Sequence, residues 1–145
     1  MDKLNVAVVG LGGRGRGLLK TCLRFIKDIH IIALCDLQED RVAMGVQLCK
    51  EIGEYEPMYA GTEYKKILEM PEVDCLIVPT SWDTHIQICI DAMNAGKYVA
   101  SEVGGSYTIE QCFDLVKTYE RTGVPIMLLE NCCYGKNEML ILNMV

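Results

Sequence analysis

Short apolar runs alternate with longer amphipathic runs along the whole chain. That alternation is the pattern of strands buried on both faces of a parallel sheet, with helices laid over both of those faces. Leu4 to Val9 is nearly continuous in apolar and β-branched residues and stops at Gly10, which reads as a first strand. From Arg14 to Asp28 the residues Leu18, Leu19, Cys22, Phe25 and Ile26 recur at helical spacing and share one face. Further strands are expected at His30 to Cys35, Pro57 to Ala60, Val73 to Val78, Tyr98 to Glu102 and Val124 to Leu129. Helices are expected over Glu39 to Glu51, Thr62 to Glu69 and Trp82 to Ala95, the last stopped by Gly96. Thr108 and Gln111 form a capping box for a helix ending near Gly123, and Tyr134 to Val145 reads as a final helix with no Gly, Pro or polar stop, so the chain is expected to end inside an element. The fold class this implies is α/β: a doubly wound parallel sheet in three α/β/α layers, with strand order 3-2-1-4-5-6.

Composition narrows the function classes. With 145 residues, half of them apolar, 23% charged and a mean hydropathy of +0.17, the chain is expected to form one folded unit and not a disordered one. A net charge of −6 opposes the phosphate neutralisation that nucleic-acid binding needs, so no nucleic-acid partner is expected. Eight cysteines are too sparse for a disulfide scaffold. The only close pair, Cys132 and Cys133, is adjacent and lacks zinc-site spacing, so free thiols and no metal are expected. The opening MDKLNVAVVGLGG has too short an apolar run for a secretory leader or a membrane span, which points to no membrane and to a reducing cytoplasm.

The chemistry gathers at strand ends. Gly10, Gly12 and Gly15 match G-x-G-x-x-G directly after a strand and at the opening of a helix. In a dinucleotide site the first glycine permits the turn, the second lets backbone approach a pyrophosphate and the third allows close helix packing. A flexible Gly/Arg loop is the plain alternative. Arg14 and Arg16 could belong to an RGG-like element, but in a strand-to-helix turn of an acidic chain Arg14 is better placed to face a phosphate or ribose. Asp36 closes the second strand 21 residues after Gly15, where a carboxylate accepts from both ribose hydroxyls and repels a 2′-phosphate, favouring NAD over NADP. Its plain alternative, a turn or N-cap residue, is compatible with that role. Pro79 to His85 follows the fourth strand, so Trp82 and His85 are expected to border the cofactor, against packing or capping roles. Glu102-Val103 and Glu130-Asn131 end the last two strands in the same crevice, and Tyr134 carries a hydroxyl suited to proton transfer, against a purely structural tyrosine.

Taken together, VAVVGLGGRGRG, the LCD of the second strand, PTSWDTH, AGKYVASEV and LLENCCYGKNEMLILNMV resemble the Gfo/Idh/MocA family over the whole chain. The resemblance implies an N-terminal Rossmann NAD-binding domain, here 1–132, with 133–145 starting the link to a C-terminal substrate domain of roughly 200 residues that is absent from this sequence. The family's usual Glu-Lys-Pro, whose lysine assists hydride chemistry, is replaced by Glu102-Val103-Gly104. That replacement, W-x-x-H at Trp82 and His85, and the L-E-N-x-C-Y stretch are similar to the branch containing the family 109 glycoside hydrolases. In that branch NAD takes a hydride from the sugar, the aglycone is eliminated, water adds and the hydride returns, so NAD is not consumed. By this resemblance the cofactor contacts are Gly13, Arg14, Asp36, Trp82, His85, Glu102, Val103 and Asn131, alongside the motif glycines Gly10, Gly12 and Gly15, with Tyr134 as the catalytic candidate.

The expected function is therefore the NAD-binding domain of a sugar-active oxidoreductase or NAD-dependent glycosidase, acting on a sugar or glycoside through the further domain and inactive alone. A stand-alone NAD-binding or sensing module is the alternative, and a flavodoxin-like or adenosine-binding domain a third. The apolar residues of the last helix, Met139 to Leu142 with Met144 and Val145, point to self-association, such as a homo-oligomer, or to partial disorder there.

Overall fold

The computed structural model describes residues 3–130 and 132–144. Six parallel strands form one sheet in the order β3-β2-β1-β4-β5-β6. They are β1 (Leu4–Val9), β2 (Ile29–Cys35), β3 (Tyr59–Gly61), β4 (Cys75–Val78), β5 (Tyr98–Glu102) and β6 (Ile126–Leu129). The helices are α1 (Gly13–Phe25), α2 (Glu39–Leu48), α3 (Tyr64–Leu68), α4 (His85–Asn94), α5 (Ile109–Thr122) and α6 (Lys136–Leu142), and α2 runs on into a π-helical turn at Cys49–Gly53.

Two cores sandwich the sheet. Val6 and Val8 of β1 meet Leu19 and Cys22 of α1 and Val42 of α2, whereas Ala7 and Val9 face Ile67 of α3 and Ile88, Cys89 and Met93 of α4. The alternation along β1 is what a strand covered on both sides requires. The β1–β2 register steps from Val6↔Ile31 to Ala7↔Ala33, so Ile32 is an extra residue at a bulge. The eight cysteines are free, and burial pushes the thiols of Cys35, Cys49, Cys75 and Cys89 up to about 11, which disfavours the reactive thiolate; the first two and the last sit in the core and Cys75 packs partly buried against it.

Several expected boundaries shift. α1 stops at Phe25, three residues short of Asp28, because Ile26 is already extended and the chain must turn into β2 at Ile29. α2 ends at Leu48 and widens into the π turn, short of Glu51 as an α-helix. β3 starts after Pro57, which has no N–H for a ladder, and β4 and β6 begin two residues later than expected. α4 begins at His85 rather than Trp82, since Ser81 to Thr84 are held in a turn in which Ser81 O accepts from the N–H groups of Thr84 and His85. The last helix begins at Lys136, not Tyr134, and none of its residues is buried. The capping box at α5 is formed as expected: Gln111 N–H donates to the Thr108 hydroxyl and Gly123 closes the helix in the left-handed region.

A candidate cofactor cleft

The sheet order reverses between β1 and β4, and a cleft of about 530 Å³ opens there beyond the carboxyl ends of the strands. Gly10 leaves β1 with φ +108, and a Cβ on it would press to 3.0 Å against the Pro79 backbone and the Thr80 methyl. Only glycine combines that conformation with that contact. Gly15 lies one turn on, buried, where a Cβ would fall onto the carbonyl oxygen of Gly10, so α1 rests directly on the turn. Gly12 and Gly13 are the opposite case, with open space around their Cβ positions.

Gly12 caps α1 without a side-chain hydrogen bond, and the first turn holds no acidic residue. The first N–H groups of α1 therefore lack an intrahelical acceptor and stand at the positive end of the helix dipole, which suits a diphosphate. Leu11, between the glycines, is fully buried and anchors the turn in the core. Asp36 is also buried; its Oδ2 accepts from Leu11 N–H at 2.6 Å and its Oδ1 from Gln38 N–H at 2.9 Å, with the Arg41 guanidinium 3.7 Å away. The carboxylate thus ties the glycine turn to the start of α2, and each oxygen keeps acceptor capacity toward the cleft. These features fit an NAD-type dinucleotide: glycine backbone and a helix N-terminus for its phosphates, and a carboxylate for a ribose.

A second cluster lies at the ends of β4 and β5. Arg14 Nε hydrogen-bonds Glu102 Oε2, joining residues 88 apart in sequence, and Val103 N–H donates to Glu102 Oε1 at 3.1 Å. Burial works to raise the Glu102 carboxyl, but the bonds from Arg14 and Val103 outweigh it and hold the group below its ordinary value of 4.5. A carboxyl depressed on folding stabilises above its unfolded value and loses that contribution as the pH falls through the folded one. Arg14 is half exposed, so Arg14→Gln is expected to lower unfolding free energy by less than about 1 kcal/mol near neutral pH, with the gap to wild type closing below about pH 4. Denaturant unfolding at neutral and acid pH measures this, and a gap that does not change with pH would count against the pair. Beside it, the Trp82 indole lies against Gly104, and His85, fully buried, places Nε2 2.7 Å from the Gly105 carbonyl.

Of the residues singled out from the sequence, Gly10, Gly12, Gly13, Arg14 and Asp36 line the cleft, and Gly15 lies under it. Trp82, His85, Glu102 and Val103 form the neighbouring cluster and are not part of the cleft wall. Tyr134 stands in the turn before α6, 83% exposed, and is not among the residues that line the cleft, and Asn131 lies outside the described residues. The cleft also recruits Gln38, Arg41, Thr62, Tyr64 and Gln87, which the sequence pattern did not single out, and Pro79 to Ser81, Asp83 and Thr84 of the stretch that it did. Only their position after strands β2, β3 and β4 could have flagged the first five.

Comparison with known proteins agrees with this geometry. Residues 4–129 match the family described as GFO_IDH_MocA, oxidoreductase family, NAD-binding Rossmann fold. A glycosyl hydrolase family 109 protein of Solibacter usitatus is 35% identical over 147 residues, covering 98% of this chain and 33% of that protein. The alpha-N-acetylgalactosaminidase of Bacteroides fragilis is 36% identical over 146 residues, covering 99% and 34%. This chain thus spans about a third of the length of the curated relatives it matches. Apo scyllo-inositol dehydrogenase from Lactobacillus casei superposes with a TM-score of 0.87 at 17% identity, covering 99% of this chain and 41% of that one. The WlbA dehydrogenase from Chromobacterium violaceum, solved with NADH and UDP-GlcNAcA, gives 0.85 at 18% identity, covering 97% and 39%. A matched stretch that runs from the first strand to the last, over a cleft shaped for a dinucleotide, makes this chain a member of the Gfo/Idh/MocA oxidoreductase family, with NAD as its cofactor.

Proposed function

We propose that the chain is the cofactor-holding part of a sugar-active oxidoreductase or NAD-dependent glycosidase in which a hydride leaves a sugar carbon and returns to it. The observation that carries this reading is the 35–36% identity, sustained along the whole chain, to family 109 glycosyl hydrolases, one of which is named an alpha-N-acetylgalactosaminidase. Val103 after Glu102, in place of a lysine, agrees with it.

In this reading the open backbone at Gly12 and Gly13 holds the diphosphate, and Asp36 accepts from the adenosine ribose hydroxyls. Arg14, locked to Glu102, borders the far half of the dinucleotide, and Trp82 and Val103 shape the wall beside it. Bound NAD supplies reversible hydride acceptance. Tyr134 moves a proton at its hydroxyl once substrate-domain residues enclose it, because its present exposure leaves nothing to orient it. Residues 133–145 begin the link to that domain, and the exposed Leu140, Ile141 and Leu142 of α6 supply apolar surface for it or for self-association. Eight free thiols suit a reducing cytoplasm, and no helix among the described residues is long and apolar enough to cross a membrane.

A second reading, a nucleotide-binding or sensing module without chemistry, is favoured by a cleft that is well formed while Tyr134 stands exposed and outside its lining. The test is calorimetric titration of the chain with NAD and NADP, followed by incubation of the NAD-loaded protein with aryl N-acetylgalactosaminides. Aglycone release with no net gain in reduced-nicotinamide absorbance is expected once a substrate domain is joined to the chain. Net reduction of NAD would replace the glycosidase reading with a dehydrogenase. Binding with neither product from the joined protein would leave the module.

A further inference from the structure

The loop after β5 is gripped from two sides. Glu102 is held by Arg14 of α1, and Gly105 is held by His85, the first residue of α4. Between these points, Gly104 at φ +141 and Gly105 at φ +58 take conformations that other residues avoid, and the Trp82 indole packs so closely on Gly104 that a Cβ there would overlap the ring. A carbonyl oxygen only accepts, so the His85 Nε2 that faces Gly105 is the donor of this bond. The ring's Nδ1 is buried without a partner, which leaves the bond to Gly105 as the ring's only side-chain hydrogen bond among the described residues.

We propose that His85 is a positioning residue. It does not meet the cofactor; from inside the core it pins the Val103–Gly105 loop, and so holds Trp82 and the Arg14–Glu102 pair in the arrangement that borders the bound dinucleotide. The case is geometric. A side chain with no exposed surface cannot present an atom to a ligand, yet its one bond reaches the loop whose backbone runs beside the cluster. His85 N–H also bonds Ser81 O, so the same residue fastens the Ser81–Thr84 turn that carries Trp82. One buried residue therefore meets two loops from neighbouring strands, one through its ring and the other through its backbone N–H. The inference rests on the reading that these loops flank the cofactor.

Trp82 is the only tryptophan in the chain, which makes its fluorescence a reporter on this loop in nucleotide-free protein. His85→Leu fills the core but removes the donor, whereas His85→Gln keeps an N–H near the Nε2 position. His85→Leu is expected to raise acrylamide quenching of Trp82 about twofold and to weaken NAD about tenfold, as loss of one hydrogen bond to a strained loop would, and His85→Gln is expected to restore both. Gly104→Ala, which leaves the core untouched and displaces the indole directly, is the second variant and should reproduce both losses even if His85→Leu does not fold. The pin is overturned if His85→Leu is folded with wild-type quenching and wild-type NAD affinity. It is equally overturned if both histidine variants lose NAD while Trp82 quenching stays unchanged, since the ring would then act on the nucleotide itself. A quenching change in the variants, with no NAD binding even by wild type, would sustain the pin and overturn the cofactor reading on which its purpose rests.

Discussion

Gly15→Ala is expected to destabilise the fold by about 3 kcal/mol, lower the melting temperature by about 10 °C and abolish measurable NAD binding. The added methyl would sit on the carbonyl oxygen of Gly10 and 3.1 Å from the Pro79 ring. A backbone oxygen has no rotamer to turn away. Either α1 lifts from the turn or the turn itself moves, and both displace the N–H groups at Gly12 and Gly13. Gly17→Ala in the same helix is the control, because nothing lies within 4 Å of its Cβ position. There the lower entropy of the unfolded chain should leave stability unchanged or raise it by up to about 1 kcal/mol. Thermal unfolding and calorimetry of the two variants side by side decide the matter. A Gly15→Ala protein that melts with wild type and binds NAD equally would mean that the helix does not rest on the glycine turn.

The contrast between these two glycines also marks what the sequence can tell. Gly10, Gly12 and Gly15 are recognisable because their spacing follows the geometry of one turn, which is a local property. The strands were legible for a similar reason: Leu4–Val9 is apolar at every position but Asn5, as burial on two faces demands. Helix ends were less so. Phe25 and Ile26 continue the apolar period of α1, yet they are exposed, because the path into β2 and not periodicity sets where that helix stops. Trp82 to Thr84 could extend a helix by composition, but there the Thr84 and His85 N–H groups both turn back on Ser81 O in a single closed turn, and the helix proper starts at His85. The Arg14–Glu102 bond joins residues 88 apart and leaves no local trace, so each could be assigned toward a ligand but not toward the other. Arg41 reads as a solvated helix charge until β2 brings Asp36 beside it. Tyr134 is the converse case: a suitable side chain in a suggestive stretch, which the described fold leaves in solvent.

Asp36→Ser is expected to weaken NAD by about 30-fold or more while changing NADP far less, so that the preference between them moves by about 10- to 100-fold toward NADP. Three contributions act in the same direction. The variant loses an ionised acceptor for the ribose hydroxyls, and it loses the negative charge that repels a 2′-phosphate. It also frees Arg41, whose guanidinium lies 3.7 Å from Asp36 Oδ1 on the cleft wall and would then find its nearest anion in that phosphate. A fourth works against both nucleotides alike. Leu11 N–H, buried and bonded to Asp36 Oδ2 at 2.6 Å, loses its acceptor, which costs about 1–3 kcal/mol of stability and loosens the glycine turn. The ratio of the two affinities, and not either one alone, therefore isolates the ribose role from the scaffold role. Adding Arg41→Gln to Asp36→Ser should lower NADP affinity about tenfold and leave NAD nearly where the single variant put it. Calorimetry on wild type, the single and the double variant supplies all six constants. An unchanged ratio in Asp36→Ser would confine this carboxylate to holding the turn, and an unchanged NADP affinity in the double variant would remove Arg41 from cofactor choice.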